Sequence, residues 1–144
     1  MAKARISKKT KRAVAERAGF RCEYCKAPKA FAPSPFNMDH IYPEAQGGSS
    51  ELSNLAFCCE NCNGGKADKT HAVDHVTGEV CALFHPRKQS WEDHFDWTTG
   101  EVHVIGLTPV GRATLEALQL NNQAVVNMRL LLRMIGEHPP KATT

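Results

Sequence analysis

The chain has 144 residues, 42% of them hydrophobic and 23% charged, with a formal net charge of +3. That length suits one domain, or a small domain with an extension, and the apolar content suits a modest core. No apolar run approaches the ~18 residues of a membrane span, and the basic N-terminus lacks the apolar stretch of a secretory signal; the expectation is a cytoplasmic protein in a reducing compartment, with no membrane contact.

The charge is uneven. Residues 1–21 carry eight Lys/Arg, including Lys3, Lys8, Lys9, Lys11, Arg12 and Arg21, against Glu16 alone. That is a net of +7 and leaves −4 for residues 22–144. A basic arm on a mildly acidic body points to a polyanionic partner, with a merely solvated tail as the alternative.

Within that arm, residues 7–18 (SKKTKRAVAERA) read as a helix that Ser7 caps and Gly19 ends. FRCEYCKAPKA follows as a tight turn carrying two thiols, and APSP as a loop. FNMDHIY reads as a short strand, which Pro43 and Gly47-Gly48 end and turn. NLAFCC is the returning strand, and a helix starts near Glu60 in spite of Gly64-Gly65. Beyond residue 70, HVTGEVCALF is expected to be a hairpin turning at Thr77-Gly78, and HFDWTTGEVHVIG a second turning at Thr99-Gly100. Thr108-Pro109 caps and opens a helix running to Asn121-Asn122, and QAVVNMRLLLRMI forms another, closed by Gly136 and Pro139. Leu115, Leu118, Val125, Leu131, Leu132 and Ile135 are expected to pack these two helices.

Six cysteines in a reducing compartment favour metal ligation over disulfides. Cys22-x-x-Cys25 and Cys59-x-x-Cys62 each have the spacing with which two thiolates grip one tetrahedral ion. Two short antiparallel strands would fold the intervening chain back and close a four-sulfur site. Such a site leaves no position for substrate, so its zinc ion would be structural and would hold a segment too small to bury enough surface alone. Cys58 neighbours Cys59 on a strand and so faces the other way; Cys58 and Cys81 are expected in the core.

Asp39 and His40 stand together at the end of the predicted first strand, Asn54 begins the facing strand, and Asn63 follows a zinc thiolate. Together, Cys22–Cys25, Asp39-His40-Ile41-Tyr42-Pro43, Gly47-Gly48, Asn54-Leu55 and Cys59-Glu60-Asn61-Cys62-Asn63-Gly64-Gly65-Lys66 resemble the HNH endonuclease motif in its zinc-stapled form. The likeness covers residues 17–70. It implies an α+β fold: a ββα-metal core stapled by the four-Cys zinc site, with the basic arm and helix (1–21) before it. An extension of hairpins and two helices (71–144) would pack on that core.

The resemblance assigns the motif histidine to His40, the asparagine to Asn54 and the third position, often histidine, to Asn63, giving an H-N-N variant. It implies hydrolysis of phosphodiester bonds in double-stranded DNA, leaving 5′-phosphate and 3′-hydroxyl ends. One divalent ion at Asp39 and Asn63 would act as Lewis acid and template. His40 would be the general base, a role an imidazole fills because it ordinarily titrates near ~6.5. Asn54 would orient the His40 segment by hydrogen bonding. An oxygen ligand at 63 favours Mg²⁺ or Mn²⁺ over softer ions. Lys8, Lys9, Lys11 and Arg12 of the arm, with Arg21 and Lys66 at the edges of the module, are the expected phosphate contacts. A catalytically inactive, zinc-stapled nucleic-acid-binding module is the alternative; the Asp-His pair speaks for the enzyme, because a binder needs neither residue.

LFHPRKQSWEDHF (83–95) resembles a segment that often follows the HNH module in small members of the family. Trp91 and Phe95, four apart, read as core, and His85 and His94 as hydrogen-bonded structural residues. His71 and His75 would share a metal only on a helix, which Val76-Thr77-Gly78 opposes.

Overall fold

The computed structural model describes residues 5–141; Lys3 of the basic arm lies outside the described residues. The first helix, α1 (Lys8–Arg17), begins where Ser7 Oγ accepts the Thr10 N–H at 3.1 Å. It is exposed except for Val14 and Ala15, which pack with Leu55 and Phe57 in a small cluster. The chain then loops through Cys22–Cys25, where Lys26 N–H reaches Cys22 O and Cys22 N–H reaches Ala27 O, both at 2.9 Å.

Strands β1 (Asn37–His40) and β2 (Leu55–Cys58) pair antiparallel, with Asp39 opposite Ala56 and His40 opposite Leu55. Helix α2 (Glu60–Lys66) follows at once, with Cys59 as its N-cap. Strand, loop, strand and helix lie where the sequence puts them, and this is the ββα core.

The remainder builds two further hairpins and three helices. Strand β3 (His71–Val73) pairs with β4 (Val80–Ala82). After α3 (Trp91–His94), β5 (Phe95–Trp97) pairs with β6 (Val104–Gly106). Helices α4 (Pro109–Ala117) and α5 (Gln123–Met134) complete the fold, capped by Thr108 and Asn122.

The structure corrects three expectations. The first strand of the β3–β4 hairpin lies upstream of the expected stretch, so His71 is on a strand and His75 in a turn. Asp74 is the reason: it accepts the Val76 N–H at 3.2 Å and the Thr77 hydroxyl at 2.8 Å, and Arg112 of α4 grips both its oxygens at 2.9 Å. Next, α4 stops at Ala117 rather than running to Asn121. Asn121 is used otherwise: its carboxamide accepts the Val104 N–H at 2.8 Å and donates to the Val104 carbonyl at 2.9 Å, extending the β6 edge. Finally, Leu131 and Ile135 are 66% and 60% exposed, whereas Val125, Val126, Arg129 and Leu132 form the buried face of α5. The i, i+4, i+7 spacing of 125, 129 and 132 defines that face and turns 131 and 135 outward. Arg129 satisfies its guanidinium on the carbonyls of Val102 at 2.9 Å and Leu120 at 2.7 Å.

One core joins the ββα segment to the hairpins and helices of the extension. Cys22, Tyr24, Cys59 and Cys62 share it with Phe84, Trp91, Phe95 and Leu118. Trp91 donates its indole N–H to the Tyr24 carbonyl at 2.9 Å. Gly65 explains the glycine pair in α2: a β-carbon there would come within 2.8 Å of Leu118 Cα, so only glycine lets α2 press against the end of α4.

Candidate metal centre and active site

The turn after α1 and the N-terminus of α2 bring Cys22, Cys25, Cys59 and Cys62 together. Their four sulfurs lie within 4.8 Å of one another, all buried, with Cys25 Sγ 3.5 Å from Cys59 Sγ. Tetrahedral zinc with Zn–S bonds of ~2.3 Å needs sulfurs roughly 3.8 Å apart, so the donor set fits a closed zinc site. Burial opposes ionisation of Cys22, yet hydrogen bonds from Cys25, Cys58, Cys59 and Cys62 hold its thiol well below the ordinary range. Contacts with Cys22 and Cys59 push the Cys25 and Cys62 thiols up. One sulfur ionises readily and its neighbours resist a second negative charge, the balance a shared dication reverses.

Cys58 is fully buried at the end of β2, in the same core cluster as the four clustered cysteines rather than facing away from them, its thiol donating to the Cys59 carbonyl at 3.5 Å. A hydrogen bond with Cys22 and burial push that thiol up, which suits a core residue. Cys81, expected in the core, is instead half-buried on β4, near the open end of its hairpin.

Asp39 is 5% exposed and both its oxygens are taken. The Tyr24 hydroxyl donates to Oδ2 at 2.7 Å, and Lys66 Nζ lies 3.1 Å from Oδ1. Burial and the Asp39 charge push the Tyr24 hydroxyl up, so it stays a donor. Lys66, a candidate phosphate contact by sequence, is 1% exposed and turned inward, donating also to the His40 carbonyl at 3.1 Å. Asn63 is one helical turn before Lys66 on α2, on the same face and half-buried.

His40 faces differently, because neighbours on a strand alternate. Its Nε2 is 2.9 Å from Ser50 Oγ and 4.0 Å from Glu44 Oε1, and its side chain is 18% exposed. Ser50 and Glu44 belong to the turn between β1 and β2, and Asn54 fastens that turn. Its Oδ1 accepts the Tyr42 N–H at 2.8 Å, and its Nδ2 donates to the carbonyls of Tyr42 at 3.0 Å and Ser49 at 2.8 Å. Gly48 completes the clamp, since a β-carbon there would collide with the Tyr42 carbonyl.

Lys8, Lys9, Lys11 and Arg12 are all exposed along α1, with Arg12 paired to Glu16 at 2.8 Å. Arg21 is committed inward: its guanidinium donates to the carbonyls of Lys26 at 2.9 Å and Glu137 at 2.6 Å. Sequence reasoning passes over Arg17, which ends α1 and donates to the carbonyls of Leu52, at 2.8 Å, and Leu55, the residue facing His40. It also passes over Glu44 and Ser50; the only signal is that Glu44 lies four residues beyond His40.

Residues 22–69 match the family profile described as HNH endonuclease. The chain carries an HNH domain. No curated protein and no solved structure matches the chain significantly. The HNH domain begins at Cys22 and ends at Lys69, so it contains both Cys-x-x-Cys pairs, the Asp39-His40 dipeptide, Asn54 and Asn63. A domain of this kind implies a nuclease or nucleic-acid-binding function. Helix α1 and everything from Thr70 onward lie outside the match. Among the described residues, no helix is long and apolar enough to cross a membrane.

Proposed function

We propose that the HNH domain is a divalent-ion-dependent endonuclease that hydrolyses phosphodiester bonds in double-stranded DNA, with His40 as general base. The observation that carries this reading is the pairing at the end of β1: a buried carboxylate already holding a cation, next to a partly exposed imidazole with polar partners.

On this reading, the Lys66 ammonium, 3.1 Å from Asp39 Oδ1, occupies the place a divalent ion would take. Asp39 and Asn63, the latter one turn from Lys66, would offer hard-oxygen donors suited to Mg²⁺ or Mn²⁺. Bound there, the ion would supply Lewis-acid stabilisation of charge on the phosphate and on the leaving oxygen. The chain's own residues do the rest. With its proton on Nε2, facing Ser50 Oγ, a neutral His40 would keep the Nδ1 lone pair to take a proton from the attacking water. The water oxygen forms its bond to phosphorus as the 3′-oxygen departs and takes a proton from solvent water, giving 5′-phosphate and 3′-hydroxyl ends. Glu44 faces the imidazolium that results and offsets its charge. Asn54 holds the turn that presents both Ser50 and Glu44. The exposed cations of α1 attract the phosphate backbone without reading sequence.

The test is incubation of supercoiled plasmid with the zinc-loaded protein and Mg²⁺, Mn²⁺, added Zn²⁺ or chelator. Relaxation or linearisation should require Mg²⁺ or Mn²⁺ and should disappear in His40→Ala, whose thermal midpoint stays close to that of the parent. Undiminished cutting by that variant would remove His40 from the role. Salt-sensitive binding without cleavage under every ion would make the chain a zinc-stapled binding module.

A further inference from the structure

Behind Lys66, the HNH domain and the segment after it enclose a cavity of about 380 Å³. Its walls come from the residues following β1, the last turn of α2, the β3–β4 hairpin and the 83–89 loop. Two features mark it. Its floor is apolar, with Ile41, Leu83 and Phe84 buried beneath it. Its polar lining includes Lys66, Lys69, His71, His85 and Lys88 and contains no carboxylate. Among the described residues, Lys88 makes no ion pair, and Lys69 gives one hydrogen bond, to the Gly65 carbonyl at 2.9 Å. Burial and the charges of Lys88 and Lys66 hold His85 below its ordinary value. Its Nδ1 accepts the Arg87 N–H at 3.2 Å, so the neutral ring carries its proton on Nε2 and remains a donor.

A small concave site with an apolar floor and convergent cationic donors suits an amphiphilic anion, and the volume lies within the ~300–1,000 Å³ of ligand sites. The cavity shares Lys66 with the Asp39-His40 end of β1, which sets it beside the candidate active site. We infer that this cavity is a subsite for the nucleotide adjoining the scissile bond: Lys69, Lys88 and His85 take its phosphate and the floor takes its sugar and base face. Two thirds of its lining, including His85 and Lys88, lies outside the HNH match, which gives the segment after the domain a task in holding substrate. The inference rests on the nuclease reading for its substrate.

The test measures binding alone. Fluorescence anisotropy of a short fluorescein-labelled DNA duplex is recorded across NaCl concentrations, with zinc-loaded protein and no other divalent ion. Lys69→Met/Lys88→Met should make the slope of log K against log salt less negative by about 1.8, since each lost phosphate contact removes ~0.9. Ala82→Trp fills the cavity without changing charge and should weaken binding several-fold at fixed salt. Parent-like slope and affinity in the double variant, or parent-like affinity in Ala82→Trp, overturns the subsite. If the parent cuts plasmid while these variants bind as it does, the subsite alone fails; if the parent binds no duplex, the nuclease reading fails with it.

Discussion

Lys66→Met isolates the buried ion pair at the centre of the site. In the parent, Lys66 Nζ lies 3.1 Å from Asp39 Oδ1, with side chains 2% and 5% exposed, and it also serves the His40 carbonyl. Methionine keeps most of the lysine volume and removes the charge. Asp39 is then left with the Tyr24 hydroxyl alone, a buried carboxylate without a counter-charge. Breaking a buried pair from one side costs ~3–5 kcal/mol, most of it the cost of the stranded charge. At roughly 4 °C per kcal/mol for a chain of this size, the midpoint should fall by ~12–20 °C. Differential scanning calorimetry without added divalent ion reads this directly. Asp39→Asn/Lys66→Met removes both charges and should recover more than half of the loss, a coupling of about 2 kcal/mol in the double-mutant cycle. Mn²⁺ should stabilise Lys66→Met more than the parent, because the ion no longer displaces an ammonium; saturation at a hundredfold over Kd adds ~2.7 kcal/mol. A loss below about 1 kcal/mol, or strictly additive single variants, would refute the reasoning.

Chelation of zinc should abolish the near-ultraviolet circular dichroism of the core and expose four more reactive thiols, since a structural zinc site contributes ~10–16 kcal/mol in small modules and a domain's whole stability is ~5–15 kcal/mol. Elemental analysis should find one zinc per chain in Cys58→Ala and a sharp loss in Cys59→Ala. On α5, Leu132→Ala should destabilise by ~2–4 kcal/mol in urea titrations, whereas Leu131→Ala stays within ~0.5 kcal/mol. Arg112 holds the Asp74 carboxyl well below the usual range. A depressed acid stabilises the fold fully above its unfolded value of ~3.9, and that contribution disappears as pH falls through the lower folded value. The midpoint of Asp74→Asn should therefore lie below that of the parent at pH 7, with the gap narrowing as acid melts are carried below about pH 4.

The four-Cys cluster and the strand–helix frame around it are legible in the sequence because their determinants are local. The two Cys-x-x-Cys pairs, the Asp39-His40 dipeptide and Asn54 owe their meaning to spacing within one hairpin and one helix, and the strands and helix form where turn residues divide them. The illegible part depends on partners distant in sequence. Lys66 points inward because Asp39 stands 27 positions earlier, and nothing in Gly64-Gly65-Lys66 distinguishes that from a solvated lysine. Arg21 bonds a carbonyl at Glu137, and Arg129 holds an interior place in α5 because the chain around 102 and 120 leaves carbonyls facing it. The β3–β4 hairpin starts upstream of its expected place because Asp74 organises its turn, and a lone aspartate carries no register signal by itself. Hydrophobicity alone puts Leu131 and Ile135 in the core; the helical period separates them from 125, 129 and 132.

The missing β-carbon at Gly65 has an evolutionary consequence. Any larger residue there would lever the helix bearing Asn63 and Lys66 off the shoulder formed by Leu118, so drift at position 65 is closed unless the far part of the chain retreats in step. The HNH segment of this protein is therefore not a portable cassette: severed after Thr70, it would lose the wall its helix leans on and the cover over its sulfurs, and a graft into another scaffold would have to bring that wall along.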